Sequence, residues 1–450
     1  MKALWFERAL LPEGWADAVR IGLANGRIAT IEQGADAQDD DARHATALPG
    51  LPNLHSHAFQ RLMAGRAEAP AGPAMNNFWG WRELMYRLVG SLTPDDFAAI
   101  AAMAFVEMLE AGFTRVGEFH YLHHQPDGSR YDDPAEMAVA IARAAAESGI
   151  ALTLLPVFYA HAGFGGAPPN AGQRRFVNDL DRFARLLDAS RGAVACLPGA
   201  LVGIAPHSLR AVTPEELLAL ETMATAAPIH IHIAEQVKEV ADCIAWSGQR
   251  PVAWLLDHAL VDPRWCLVHA THIDSSELTA VAASGAVVGL CPITEANLGD
   301  GIFPADAFLA AGGGFGIGSD SNVCISAATE LQLLEYGQRL SLHRRSVLAA
   351  NDASCGRTLV DEALRGGVQA LGCESAIKVG ASADLVALSH DHFGELGDGV
   401  LDRWIFAGGG PAVDTVWCRG IQLVSNGRHR ARDDVAGRFS KVATRLLRAT

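Results

Sequence analysis

Two histidines one residue apart, His55 and His57, stand at the end of an apolar run, Leu51-Pro52-Asn53-Leu54. In an extended strand, residues i and i+2 point to the same face, so the pair aims two imidazoles at one point. Imidazole is a good zinc ligand, and a catalytic zinc usually takes three protein ligands and keeps a position open for water. A His-x-His alone is more often a polar turn or a pair of satisfied buried histidines. Its company is what gives it weight. His207 closes Gly203-Ile204-Ala205-Pro206-His207, His232 closes His230-Ile231-His232, His269 closes Leu267-Val268-His269, and Asp320 closes Gly316-Ile317-Gly318-Ser319-Asp320. Tyr121 ends one further apolar run. Six strand ends carrying metal-binding or acid/base side chains are hard to produce by chance.

The elements that must position these residues alternate in type. Short apolar strands are expected near Thr46–His57, Phe113–Tyr121, Ala151–Tyr159, Leu201–His207, Pro228–His232, Trp265–His269, Ala286–Pro292 and Phe315–Asp320. Between them lie alanine-rich stretches with helical spacing, such as Pro94–Ala111 and Pro214–Ala227, with acidic residues in their first turns. Eight such units imply an α/β chain with a (β/α)8 TIM-like barrel, over residues 49–376. An open doubly wound sheet has the same alternation, but chemistry at so many strand ends favours the barrel. The span exceeds the roughly 250 residues typical of a barrel, which fits long loops at 58–93 and 160–175. The two chain ends read differently. Ala18–Ala24 and Arg27–Ile31 flank an Asn25-Gly26 hairpin turn, and strand-like pieces recur at Ala383–Leu388, Val413–Cys418 and Gly420–Val424. Residues 1–48 and 377–450 are therefore expected to form one small β-sandwich domain, with an amphipathic helix at 433–450.

Composition narrows the partners. The chain has 450 residues, half of them hydrophobic, and a net charge of −15 without a basic stripe. That argues against nucleic acid. Eight cysteines form no Cys-x-x-Cys pair, and Lys2, Glu7 and Arg8 interrupt the N-terminus before a signal-peptide core forms. No run reaches the ~18 apolar residues of a membrane helix. A soluble cytoplasmic protein is expected. Gly312-Gly313-Gly314 precedes a strand, so it reads as a turn and not a nucleotide loop. Cys291 reads as a small buried apolar residue.

With His55-x-His57 on the first strand, His232 and His269 on the fifth and sixth, and Asp320 on the eighth, the chain resembles the amidohydrolase superfamily over essentially its whole length. Members with two metals bridge them with a carboxylated lysine, usually on the fourth strand. Only Lys2, Lys238, Lys378 and Lys441 occur here, none between residues 3 and 237. The resemblance therefore implies one metal, zinc or alternatively iron, held by His55, His57, His232 and Asp320. Glu235 lies three residues after His232, a spacing shared with the deaminases of the superfamily. By itself it reads as a helix-start carboxylate. Beside a metal site it reads as the group that carries a proton from water to a leaving nitrogen. His269 and Asp320 are then expected to orient the attacking water, and the product is ammonia.

Arg82 and Arg210 fall on loops over the expected site, and arginine forks onto carboxylates. Asn53 to Arg61, Trp79 to Tyr86, and Ser319 to Asn322 with Glu330 to Tyr336 resemble the formimidoylglutamate deiminases of histidine degradation. That resemblance implies a small-molecule substrate with two carboxylates, contacted by Gln60, Arg82, Tyr121, His207 and Arg210, and a homodimer. Val323-Cys324 departs from it, where an arginine is expected. Two other readings stay open: a mononuclear-zinc deaminase of a nucleobase or related ring, and a metal-free barrel that only binds.

Overall fold

The computed structural model describes residues 2–66, 68, 78–350, 353–390, 394 and 397–448. Of the loop expected at 58–93, residues 67 and 69–77 lie outside the described residues, as do Met1 and the last two residues of the expected C-terminal helix.

Two parallel sheets carry the chemistry. One orders the strands Leu51–Ser56, Phe113–His120, Ala151–Phe158 and Leu201–Val202, with Ala205–Pro206 also pairing with Ala151–Phe158. The other orders Ile229–Ile233, Trp265–His269, Val287–Leu290 and Gly314–Ile317. All these pairings are parallel, as strands joined through helices require. Edge bridges link the sheets at Ile204 with Ile229, Ser208 with His232, and Ser56 with Asp320. The last two carry site residues. Asp320 N–H donates to the His55 carbonyl at 2.9 Å, and His57 N–H donates to the Asp320 carbonyl at 2.9 Å.

Small residues make that approach possible. A Cβ on Gly318 would lie 2.7 Å from the His55 carbonyl oxygen, so any larger residue there would push the Gly314–Ile317 strand away from the Leu51–Ser56 strand. Gly203 interrupts the fourth expected strand for a similar reason. Its Cβ would meet Leu155 at 2.6 Å and the Pro228 carbonyl at 2.7 Å. The expected strand is accordingly divided into Leu201–Val202 and Ala205–Pro206, and the first one into Ala42–Pro49 and Leu51–Ser56. Pro292 opens a helix, Pro292–Leu298, instead of closing the seventh strand.

The helices start where the sequence supplies caps. Thr93 with Asp96 and Thr213 with Glu216 form capping boxes for Pro94–Glu110 and Pro214–Ala224. Both are close to their expected extents. The Pro94–Glu110 helix is buried on nearly every side. Among the described residues no helix is long and apolar enough to cross a membrane.

The chain ends share one eight-stranded sheet. Its central Ala42–Pro49 strand runs parallel to Lys2–Leu11 and antiparallel to Leu385–Leu388. The Asn25-Gly26 hairpin joins Gly14–Ala24 to Arg27–Glu32 as expected. Phe6, Val19, Ile21, Leu385 and Trp417 form a separate buried cluster under this sheet. Arg432–Arg448 is the terminal helix.

Candidate active site

Four side chains converge where the two parallel sheets meet. His55 Nε2 lies 3.0 Å from His232 Nε2 and 3.4 Å from Asp320 Oδ1, and His57 Nε2 lies 3.3 Å from the same oxygen. One ligand atom of each residue falls within 4.8 Å of the others, and all four residues are buried. The outer ring nitrogens fix the orientation. His57 Nδ1 donates to the Phe119 carbonyl at 3.0 Å, and His232 Nδ1 to the His207 carbonyl at 3.1 Å. Because a carbonyl only accepts, each of these rings carries its proton on Nδ1 and turns an Nε2 lone pair inward. Burial pushes the His55 pKa down to about 3 and holds those of His57 and His232 below the usual histidine range. Burial opposes charge on Asp320 too, but the His55 hydrogen bond and the neighbouring rings hold its carboxyl below the usual range. Two lone pairs and a carboxylate thus face one point, with at most the His55 proton to satisfy them. A cation satisfies all of them, so the donor set fits a metal ion.

The backbone at this point is strained. Ala234, His269, Asp320 and Asn322 all have left-handed φ values, from 42° to 69°. Asn322 ties the last turn down, donating from Nδ2 to Ser56 Oγ, the His57 carbonyl and the Asp320 carbonyl at 3.0–3.1 Å.

Glu235 follows the Ile229–Ile233 strand and lies 3.9 Å, Oε1 to Nε2, from His269. His269 Nε2 is 4.0 Å from Asp320 Oδ2. Burial raises the Glu235 pKa to about 7 against the pull of His269 and Arg210. For His269, burial works the other way, and the carboxylates of Glu235, Glu295 and Asp320 overcome it to raise the pKa to about 10. A carboxyl that takes up and releases a proton near neutrality beside a metal-type cluster suits acid/base work.

These groups open onto one cavity. Every substrate contact expected from the sequence, namely Gln60, Arg82, Tyr121, His207 and Arg210, lines it with His57, His232, Glu235, His269 and Asp320. His55 is fully buried and does not line it. Arg82 comes from the Phe78–Val89 helix and sits 5.6 Å over the Tyr86 ring. Arg210 Nε is buried without a hydrogen-bond partner among the described residues, and an Arg210 Nη is 4.0 Å from Glu239. Gln60 donates to Tyr121 Oη at 3.0 Å, and among the described residues Gln60 Oε1 has no partner.

Trp81, Met85, Tyr86, Tyr159, Phe176 and Leu298 complete the lining, and none was singled out from the sequence. Tyr159 is held by Gln173 at 2.6 Å, so the expected 160–175 loop buttresses the wall. Glu295 and Glu239 were missed too; each lies in the first turn of a helix that follows a parallel strand, and only that of Glu239 follows a site-bearing one. Beside Val323-Cys324, Arg61 donates to the Asn322 and Val323 carbonyls at 3.1 and 3.2 Å. Cys291 is fully buried, as expected.

The fold and this site have counterparts. Residues 46–423 match the amidohydrolase family, and the chain belongs to it. Residues 1–45 match the N-terminal domain of formimidoylglutamate deiminase HutF. The chain is 52% identical to a formimidoylglutamate deiminase from Pseudomonas aeruginosa, covering 99% of this chain and all of that one. It is 55% identical to a crystal structure of an amidohydrolase from Brucella melitensis, with a TM-score of 0.96 over 99% of this chain and all of the other. An adenosine deaminase from Xanthomonas campestris with bound zinc shares the fold at 22% identity, with a TM-score of 0.80 over all of this chain and 98% of that one.

Proposed function

We propose that the chain hydrolyses N-formimidoyl-L-glutamate to N-formyl-L-glutamate and ammonia in histidine degradation. The observation that carries this is one cavity lined together by Glu235, His57, His232, His269, Asp320, Arg82 and Arg210. Water supplies the oxygen of the new formyl C=O, the C–N bond to the imino nitrogen breaks, and that nitrogen leaves as ammonia. His55, His57, His232 and Asp320 would hold one metal per subunit, zinc first and iron as the alternative. When bound, it polarises water and lowers its pKa toward ~7. Glu235 passes the two protons of the attacking water to the imino nitrogen, one as the C–O bond forms and one as the C–N bond breaks, so that the nitrogen leaves as NH3. His269 hydrogen-bonds the attacking oxygen, and Asp320, besides its place in the ligand set, helps to take its proton. Arg82 and Arg210 pair with the two substrate carboxylates, while Gln60, Tyr121 and His207 supply further hydrogen bonds. The orphaned Arg210 Nε and Gln60 Oε1 support that assignment.

The same reading takes residues 49–376 as one closed (β/α)8 barrel, supported by the bridges between the sheet edges. Residues 1–48 and 377–450 form the β-sandwich domain, supported by the pairing of the two chain ends. A cytoplasmic homodimer belongs to the proposal on the family resemblance. The aromatic lining by Trp81, Tyr86, Tyr159 and Phe176 gives a second reading some support, a deaminase of a nucleobase-like ring. Identification of the product formed from N-formimidoyl-L-glutamate tests the assignment, with N-formyl-L-glutamate and ammonia in equal amounts as the expected result.

A further inference from the structure

Glu239 lies in the first turn of the Val237–Ser247 helix and is 1% exposed. Its carboxylate reaches back to the turn that carries Glu235. Oε1 accepts the Ala234 N–H at 3.3 Å, and Oε2 accepts the Glu235 N–H at 3.2 Å. Ala234 has φ of 51°, a left-handed conformation that costs free energy for alanine and persists only where its surroundings impose it. Glu239 is therefore one of the groups that hold this turn, and with it the height of Glu235 over the cavity. The same Oε2 is also the ion-pair partner of Arg210, at 4.0 Å, with the Arg210 side chain 13% exposed. Arg210 arrives from a different part of the chain, just beyond the Ala205–Pro206 strand. One buried oxygen thus accepts from the backbone of the acid/base residue and lies 4.0 Å from the guanidinium expected to meet substrate.

We propose that Glu239 is a positioning residue that couples the carboxylate clamp at Arg210 to the acid/base group at Glu235. The inference rests on the roles proposed above for Arg210 and Glu235. Its content is that one carboxylate sets two geometries at once. The Glu239 charge holds the Arg210 guanidinium in place for the substrate carboxylate, while the Glu239 carboxylate accepts the Ala234 and Glu235 N–H groups. A helix-start glutamate that merely capped its own helix would have no such link.

The test is a double-mutant cycle on zinc-loaded full-length protein, using Glu239→Gln, Arg210→Ala and the pair. Two quantities are read: the Kd of the product N-formyl-L-glutamate by calorimetry, and kcat. Zinc content and the far-UV spectrum are recorded on each preparation. Glu239→Gln should weaken product binding and lower kcat by about tenfold each, the scale of coupling between residues in one network, with zinc retained. In the Arg210→Ala background the same substitution should leave Kd unchanged and still lower kcat. An equal loss of binding in both backgrounds, or no loss in either quantity, overturns the coupling. If Arg210→Ala alone binds product like the parent, the clamp itself is wrong, and the coupling falls for that separate reason. Should Glu239→Gln not fold, Glu239→Asp, which keeps the charge but is too short to span both contacts, carries the same measurements.

Discussion

His269 Nδ1 lies 3.1 Å from Glu295 Oε1, and that oxygen also accepts the Cys291 N–H at 2.9 Å. The carboxylate only accepts, so His269 donates through Nδ1 and presents Nε2 toward Glu235 and Asp320. A residue at the start of the Pro292–Leu298 helix thereby sets the tilt of a ring from the neighbouring strand and helps to hold its charge.

Glu295→Gln keeps the shape but puts an amide in place of a carboxylate. Its single acceptor oxygen must serve both Cys291 and His269, without the charge that helps to raise the His269 pKa. Turnover should fall by at least about tenfold, as for other groups that orient a catalytic histidine. Zinc content should not change, since Glu295 is outside the converging ligand set. Parent-like turnover would leave Glu295 as a cap for the Cys291 N–H alone.

Glu235→Gln removes the proton carrier without removing a metal ligand. Turnover should fall by ~10²-fold or more, the range of a general acid/base. Elemental analysis of the same preparation should still find about one zinc per chain. Loss of metal together with activity would mean that Glu235 supports the metal cluster instead of moving protons.

Arg82→Ala and Arg210→Ala should each leave a substrate carboxylate without its charge-assisted partner. For a well desolvated pair that costs roughly 2–5 kcal/mol, about 30-fold or more in kcat/KM. The aspartate homologue should be a poorer substrate, and an amidine without carboxylates poorer still. Normal kcat/KM in both variants would remove the clamp from the account.

Stability should carry a pH signature from Glu118. This residue is 1% exposed and accepts the Ala58 N–H through Oε1 at 2.7 Å. Burial raises its pKa from 4.5 to about 8. The folded chain therefore holds a proton that the unfolded chain releases first. The stability this contributes is complete below about pH 4.5 and is lost as pH rises to about 8. Glu118→Gln, neutral throughout and still able to accept from Ala58, should lack this decline. Urea unfolding between pH 5 and 8.5 measures it; parallel curves for parent and variant would show that Glu118 does not titrate in this way.

The strand ends were legible because their signal is local. His55 and His57, His232, His269 and Asp320 each close a short apolar run, and period-2 alternation fixes which side chains share a face. The five substrate contacts came from family resemblance and loop chemistry, and all five line the cavity. The walls were not legible. Tyr159, Phe176 and Trp81 look like any core aromatic in sequence, and only the folding of the 160–175 loop and the Phe78–Val89 helix brings them to one cavity. Glu239 and Glu295 were hidden because a first-turn glutamate is the ordinary companion of a helix start. The breaks at Gly50 and Gly203 depend on close approaches between strands distant in sequence, which no local pattern reports.

The most direct measurement is the ratio of kcat/KM for ammonia release from N-formimidoyl-L-glutamate to that from cytosine, guanine and adenosine, using metal-replete protein. The two arginines that line the cavity with Glu235 predict a ratio of at least about 10³, two carboxylate pairs being worth more than one. A preference for any of the uncharged rings would contradict the substrate assignment and return the aromatic walls to the role of a stacking site.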